Sequence, residues 1–147
     1  MLPQARLTAR LLSIDAVKAI VGRNVLPVLV PGTDQYPAVV FQVLEDHPDN
    51  DSTGSSDQWT MRLRVACIGL SQGPLRPYET VWQLAAAVAG LAEDPAGPTG
   101  LSGWKDDEGS IWHLMDEFDE AGEVMAGTDT FWAYLVNQLY EVQYVRS

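Results

Sequence analysis

The residues able to do chemistry in this 147-residue chain are few, and they begin at Gly69-Leu70-Ser71-Gln72-Gly73. That stretch fits G-x-S-x-G, the turn that lifts a nucleophilic serine above a sheet between a strand and a helix. His113 lies downstream with Asp106 between them, so the order serine, acid, histidine can be written. The surroundings argue against it. Such a serine needs a buried parallel strand before it and a helix starting at once. Arg62 and Arg64 instead make the preceding strand half-solvated, and Pro74 and Pro77 delay the helix. A plain strand-to-helix turn is the expectation at Ser71.

Asp49, Asp51, Thr53, Gly54 and Asp57 partly follow a calcium-loop spacing. Its last ligand position falls on Thr60, where a bidentate glutamate is required, so an acidic hairpin loop is expected there. His47 and His113 are the only histidines and Cys67 is the only cysteine, which leaves no set with zinc spacing and no internal disulfide. Cys67 falls on the apolar side of its strand and reads as inert core. The run Asp116, Glu117, Asp119 and Glu120 could imitate a carboxylate pair. Adjacent acids on a strand point to both of its sides, so a solvated edge is the reading. Without a Walker loop or G-x-G-x-x-G, no cofactor is predicted, and no metal.

Composition bounds the rest. Apolar residues make up 46%, enough for a globular core in one domain spanning 1–147. No apolar run is long enough to span a membrane, and the interleaved Arg6 and Arg10 do not suit a signal peptide, so a reducing cytoplasm is the expected setting. The net charge of −11 disfavours nucleic acid as a bound partner. The charge is uneven: residues 1–23 hold Arg6, Arg10, Lys18 and Arg23 against Asp15, whereas residues 93–129 hold eleven acids and Lys105 alone as a base. This reads either as a solvated acidic surface or as subunits that attract one another head to tail, which can close into a ring.

The elements follow from periodicity. Leu7, Leu11, Ile14, Val17 and Val21 form one helical stripe that stops at Gly22, with Leu12 and Ile20 off it. Residues 25–30, interrupted by Pro27, read as an edge strand. Residues 37–44 read as a strand, 45–57 as a long polar loop, and 57–69 as the clearest strand, with Trp59, Met61, Leu63, Val65 and Cys67 on one side. A second helix starts near Pro77 with Val81, Leu84, Ala85, Val88 and Leu91 facing inward. The Gly-rich acidic stretch 93–109 reads as a mobile or functional connection. Strands at 110–118 and 131–145 complete an order α-β-β-β-α-β-β. The predicted fold is α+β, a small, mostly antiparallel sheet with two helices packed on it.

That succession resembles the tail terminator, or tail-completion (head–tail joining), proteins of long-tailed bacteriophages. The resemblance is carried by "AIVGRNVLPVLVP" (19–31), "YPAVVFQVLED" (36–46), "RLRVACIGLS" (62–71), the small-residue helix 78–92 and the aromatic end "YLVNQLYEVQYVR" (134–146). It covers almost the whole chain, and the 93–109 stretch departs from it. The resemblance implies a non-enzymatic virion protein at the head-proximal end of the tail, assembled in the host cytoplasm. It implies a ring, typically a hexamer, that caps the tail tube and docks to a connector or stopper protein, with DNA passing through the lumen unbound. A neck stopper is the nearby alternative, and a cytosolic ligand-binding or hydrolase domain the distant one. Arg62 and Arg64 on the wet strand face, and Asp116, Glu117, Asp119 and Glu120 in the acidic run, are the candidate ring, partner or lumen contacts.

Overall fold

The computed structural model describes residues 3–26, 37–51, 54–70, 77–106, 109–126 and 129–145. Its elements are α1 (Pro3–Leu12), α2 (Asp15–Val21), β1 (Val25–Leu26), β2 (Ala38–Asp51), β3 (Gly54–Leu70), α3 (Pro77–Ala89), β4 (Gly109–Ala126) and β5 (Asp129–Val145). The strands form one sheet in the order β1-β2-β3-β5-β4. β1 runs parallel to β2, and the other pairings are antiparallel. The α+β class and the mostly antiparallel sheet are as expected.

β3 sets the frame because its alternation is strict. Met61, Leu63, Val65 and Cys67 are buried, while Arg62 and Arg64 are exposed. β3 is bonded on both sides, with Leu63 opposite Val43 on β2 and Tyr140 on β5. The inner face of β5 supplies Val136, Gln138, Tyr140, Val142 and Tyr144, all buried. Against this face α3 lays Val81, Leu84, Ala85 and Val88, and α1 and α2 lay Leu7, Leu11, Val17 and Val21. Leu12, Ile14 and Ile20 are half-buried and pack on the same core.

Three sequence expectations need correction. The first helix is two helices: Ile14 is extended (φ −91°, ψ 112°) and the Ser13 hydroxyl donates to the Arg10 carbonyl at 2.5 Å, while Asp15 opens the second. Ser bonds locally to backbone in this way and so competes with helix continuation. There are accordingly three helices among the described residues. Residues 45–51 and 54–57 are not a loop, because β2 and β3 continue as a paired ladder to Asn50↔Ser55 and Asp51↔Gly54; residues 52–53 lie outside the described residues. Leu91 lies beyond the end of α3 and is 65% exposed. The edge strand expected at 25–30 is described at Val25–Leu26, and residues 27–30 lie outside the described residues.

The acidic 93–109 connection is tied down along the part described, 93–106. Gly90 ends α3 with φ +64°, the left-handed geometry that suits glycine at a helix C-terminus. The chain then returns across the helix end. Leu101 N–H donates to the Val88 carbonyl at 2.8 Å and Ser102 N–H to the Ala89 carbonyl at 3.0 Å, satisfying groups that a helix end leaves open. Leu101 plugs the core and is fully buried. The approach is so close that a Cβ on Gly90 would stand 2.3 Å from the Gly100 nitrogen.

One polar residue sits inside this apolar contact. Gln138 is 1% exposed; its Nε2 donates to the Ala85 carbonyl at 2.9 Å and its Oε1 accepts from the Tyr140 hydroxyl at 2.8 Å. It thereby pins β5 to α3 in a single register, since a buried amide left without partners is costly. Gln138→Leu is expected to lower urea stability by about 1–3 kcal/mol by leaving the Tyr140 hydroxyl unpaired. Adding Tyr140→Phe should recover part of that loss. Strictly additive losses in the double variant would show that the two side chains do not act as a unit.

Candidate functional site

The functional candidates lie on β3 and β4, and bulges decide which way they point. Pairing between β4 and β5 shifts between His113 and Met115, so Leu114 is an extra residue. Upstream, Ile111 and His113 lie opposite the inward Val142 and Tyr140. Downstream, Asp116 and Phe118 lie opposite the inward Gln138 and Val136, while Met115 and Glu117 lie opposite Leu139 and Asn137 on the outer face. The bulge thus brings Phe118 to the core margin, where its ring stacks with Trp82 and Tyr134 at centroid distances of 6.1 and 6.4 Å. β2 has a matching irregularity at Leu44, between Val43 and Glu45.

The structure therefore divides the six candidate residues. Arg62, Arg64 and Glu117 share the outer sheet face. Arg62 stands 4.0 Å from Glu45, and Arg64 donates to the Gln42 amide oxygen at 3.2 Å. Both contacts are solvent-exposed and contribute little to stability. Asp116 belongs to the opposite face, 2.7 Å from His113. Asp119 pairs with Leu135, on the outer-face register, and Glu120 with Tyr134 on the inner one. The outer face also carries exposed apolar side chains that the periodicity did not flag: Leu44, Trp112, Leu114 and Met115. A shallow depression of about 140 Å³ lies among Leu44, Arg64, Met115, Glu117 and Leu139.

The hydrolase arrangement is not assembled. Asp106 pairs with Arg6, not with His113, whose acid partner is Asp116. β3 is antiparallel to both neighbours, whereas a nucleophile elbow needs a parallel strand. His113 shares a row with Tyr140 and Leu63, seven residues from Leu70 along β3, or roughly 23 Å at strand rise. Ser71 itself lies outside the described residues. The calcium-loop spacing fails as well: Asp49 and Asp51 are strand residues, and Asp49 accepts the Thr60 hydroxyl at 2.8 Å. Among the described residues, no group of three His, Cys, Asp or Glu side chains could hold a metal ion. No helix is long and apolar enough to cross a membrane.

Cys67 is fully buried. Burial pushes its thiol well above the ordinary range, and the Asp116 charge adds to this. The Tyr140 phenol is raised by burial first, then by Cys67 and Asp116. A buried, protonated thiol is an inert one.

The basic N-terminal helix turns out to be engaged within its own chain. Arg10 donates to the Pro98 carbonyl at 2.7 Å and twice to the Gly100 carbonyl, at 3.1 and 3.3 Å, and lies over the Trp104 ring at 5.4 Å. Arg6 pairs with Asp106 and also faces Trp104. Burial shifts the Arg10 guanidinium below its ordinary value, yet arginine remains charged. The attraction expected between subunits is thus partly used inside one: the helix clamps the acidic connection.

With this geometry in place, comparison with known proteins adds one finding: residues 5–107 match the family of tail completion protein gp17. The chain belongs to this phage tail completion family. No curated protein matches the sequence. The matched span runs from α1 through the clamped connection and ends before β4. Membership makes the chain a structural component of phage tails that contacts other tail or head components.

Two outcomes follow from these contacts. Arg10→Lys cannot reproduce the fork on two carbonyls, so hydrogen exchange at the Leu101 and Ser102 amides should quicken about tenfold with little change in global stability. Unchanged exchange would remove the clamp from the account. The raised Cys67 and Tyr140 values also set a pH dependence. Below about pH 8.5 both groups are protonated folded and unfolded. Above it the unfolded chain loses protons that the folded chain keeps, so stability should fall as pH rises, by at most about 1.4 kcal/mol per pH unit and group. Urea titrations at pH 8, 9 and 10 read this slope, and a Cys67→Ala/Tyr140→Phe variant should flatten it.

Proposed function

We propose that this chain is the tail terminator: a ring, of which a hexamer is the expected form, that caps the finished tail tube and stops its growth. The ring then presents the surface that joins a connector or stopper protein at the head-proximal end, and DNA passes through its lumen without being specifically bound. The observation that carries the reading is the family match across residues 5–107. The geometry supports a protein-binding role. The outer sheet face sets Arg62 and Arg64 on the central strand, with exposed Leu44 on one side and Met115 and Trp112 toward the β4 edge on the other, a mixture of charged and apolar side chains such as contact surfaces carry. The chain acts as one unit in this role and performs no catalysis, assembling in the host cytoplasm before it enters the virion. Its net charge of −11 suits a lumen that lets DNA slide.

Removing the protein from the phage should give tails of irregular, excessive length that fail to join heads, seen by electron microscopy. Tails of normal length with DNA leaking from heads would assign the chain to the neck stopper instead. In vitro, adding the purified protein to polymerising tube protein should arrest growth and place ring-shaped density at tube ends.

A further inference from the structure

The two edges of the sheet are unlike in a complementary way. β4 forms one edge. Its first residues are covered: Gly103 N–H donates to the Ile111 carbonyl, Ile111 N–H to the Trp104 carbonyl, and Lys105 bridges Ser110. Past Ile111, no other described strand pairs with its outer side. Natural edges of such length are usually blunted by charged side chains, proline or bulges. This strand of 18 residues has no lysine or proline; its acids and two bulges disfavour unselective pairing, and it bears Trp112, Leu114 and Met115, each about half exposed. Beyond them come Asp116, Glu117, Asp119 and Glu120. An apolar, open edge marked with negative charge is a surface for a strand with positive neighbours.

The other edge fits that description. β1 is the terminal strand there, and the exposed Lys18 and Arg23 precede it in the chain. Of the other described bases, Arg6 and Arg10 are engaged on the connection, Arg62 and Arg64 stand at mid-sheet, and Lys105 lies at the covered start of the β4 edge; Arg76 and Arg146 lie outside the described residues. The levels match too. Val25 shares a row with Val39, Cys67, Val136 and Phe118, and Leu26 shares one with Val40, Ala66, Asn137 and Glu117. Direction agrees as well: β1 runs with β2 and β5, and β4 runs against β5, so β4 of one copy beside β1 of the next is an antiparallel pair.

We infer that the acidic β4 edge of one subunit receives the β1 edge of a second copy, with Lys18 and Arg23 set against the acidic stretch that begins at Asp116 and Glu117. Because the two patches differ, the contact is head-to-tail, and repeating it closes a ring or winds a helix. This rests on the self-assembly proposed above and assigns its surfaces.

Charge reversal tests it on the full chain, alone and with tube protein, by light scattering and sedimentation. Glu117→Lys/Asp119→Lys should weaken self-association about tenfold or more at low salt, and Lys18→Glu/Arg23→Glu should do the same. Each variant carries two like-charged edges, so mixing them should restore assembly as alternating subunits. Circular dichroism and urea midpoints check that the variants stay folded. Amide exchange across residues 112–120 should slow on assembly of the wild type. If the wild type assembles and neither reversal weakens it, or mixing restores nothing, the edge assignment is wrong while the ring reading stands. If the wild type self-associates under neither condition, both fall together.

Discussion

A slip of one residue in β3 would carry Arg62 and Arg64 into the core and turn Met61, Leu63, Val65 and Cys67 out to water. That penalty fixes the register of the whole sheet, because β3 is bonded along most of its length to both β2 and β5. β5 hands the register on to β4, and Gln138 hands it on to α3 through the Ala85 carbonyl. This register decides which side chains of β3 and β5 reach the outer face, and the bulges of β2 and β4 reset the choice locally on those two strands. Irregularities are confined to β2 and β4, where Leu44 and Leu114 are inserted and exposed while the central strand stays regular.

The elements legible in the sequence are those in which burial follows a simple period. β3 alternates cleanly, and the inward stripe of α3 is described as read, apart from Leu91. What escaped was set by neighbours. The ladder from Glu45 to Asp57 is rich in Asp, Ser and Asn, poor strand formers, and it forms because the hairpin extends an already registered pair. Gln138 was passed over because a polar residue between apolar ones reads as an interruption; its partners are a helix carbonyl and a phenol that only the fold brings near. The Leu114 bulge shifts the parity of the residues from Met115 to Glu120, until a second bulge at Ala121 shifts it back, and nothing in the local composition marks either. For the candidate residues, the sequence correctly placed the arginines on the wet face and spread the acids over both sides of a strand, but it could not show the exposed apolar cluster beside them.

Charge asymmetry acquires a different meaning once the fold is known. Read along the chain, it opposes a basic beginning to an acidic end. In the fold, Arg6 and Arg10 stabilise the acidic connection of their own subunit, where Trp104 stacks beneath them and Pro98 and Gly100 offer carbonyls. These contacts are partly buried and geometrically demanding, so they make better internal fasteners than steering charges. Lys18 and Arg23, both exposed, precede β1 at one edge of the sheet, and the acids of β4 belong to the other.

An open edge strand is ordinarily a hazard, because any extended chain can pair with it. Negative charge resolves the hazard selectively. With a net charge of −11 on each subunit, random approach is repulsive, and two β4 edges repel each other most of all. A symmetric pairing of like edges is thereby disfavoured, while the one approach that sets acids against the Lys18 and Arg23 end keeps a local attraction. In the head-to-tail assembly proposed above, repulsion limits random pairing, and the position of Lys18 and Arg23 sets the direction.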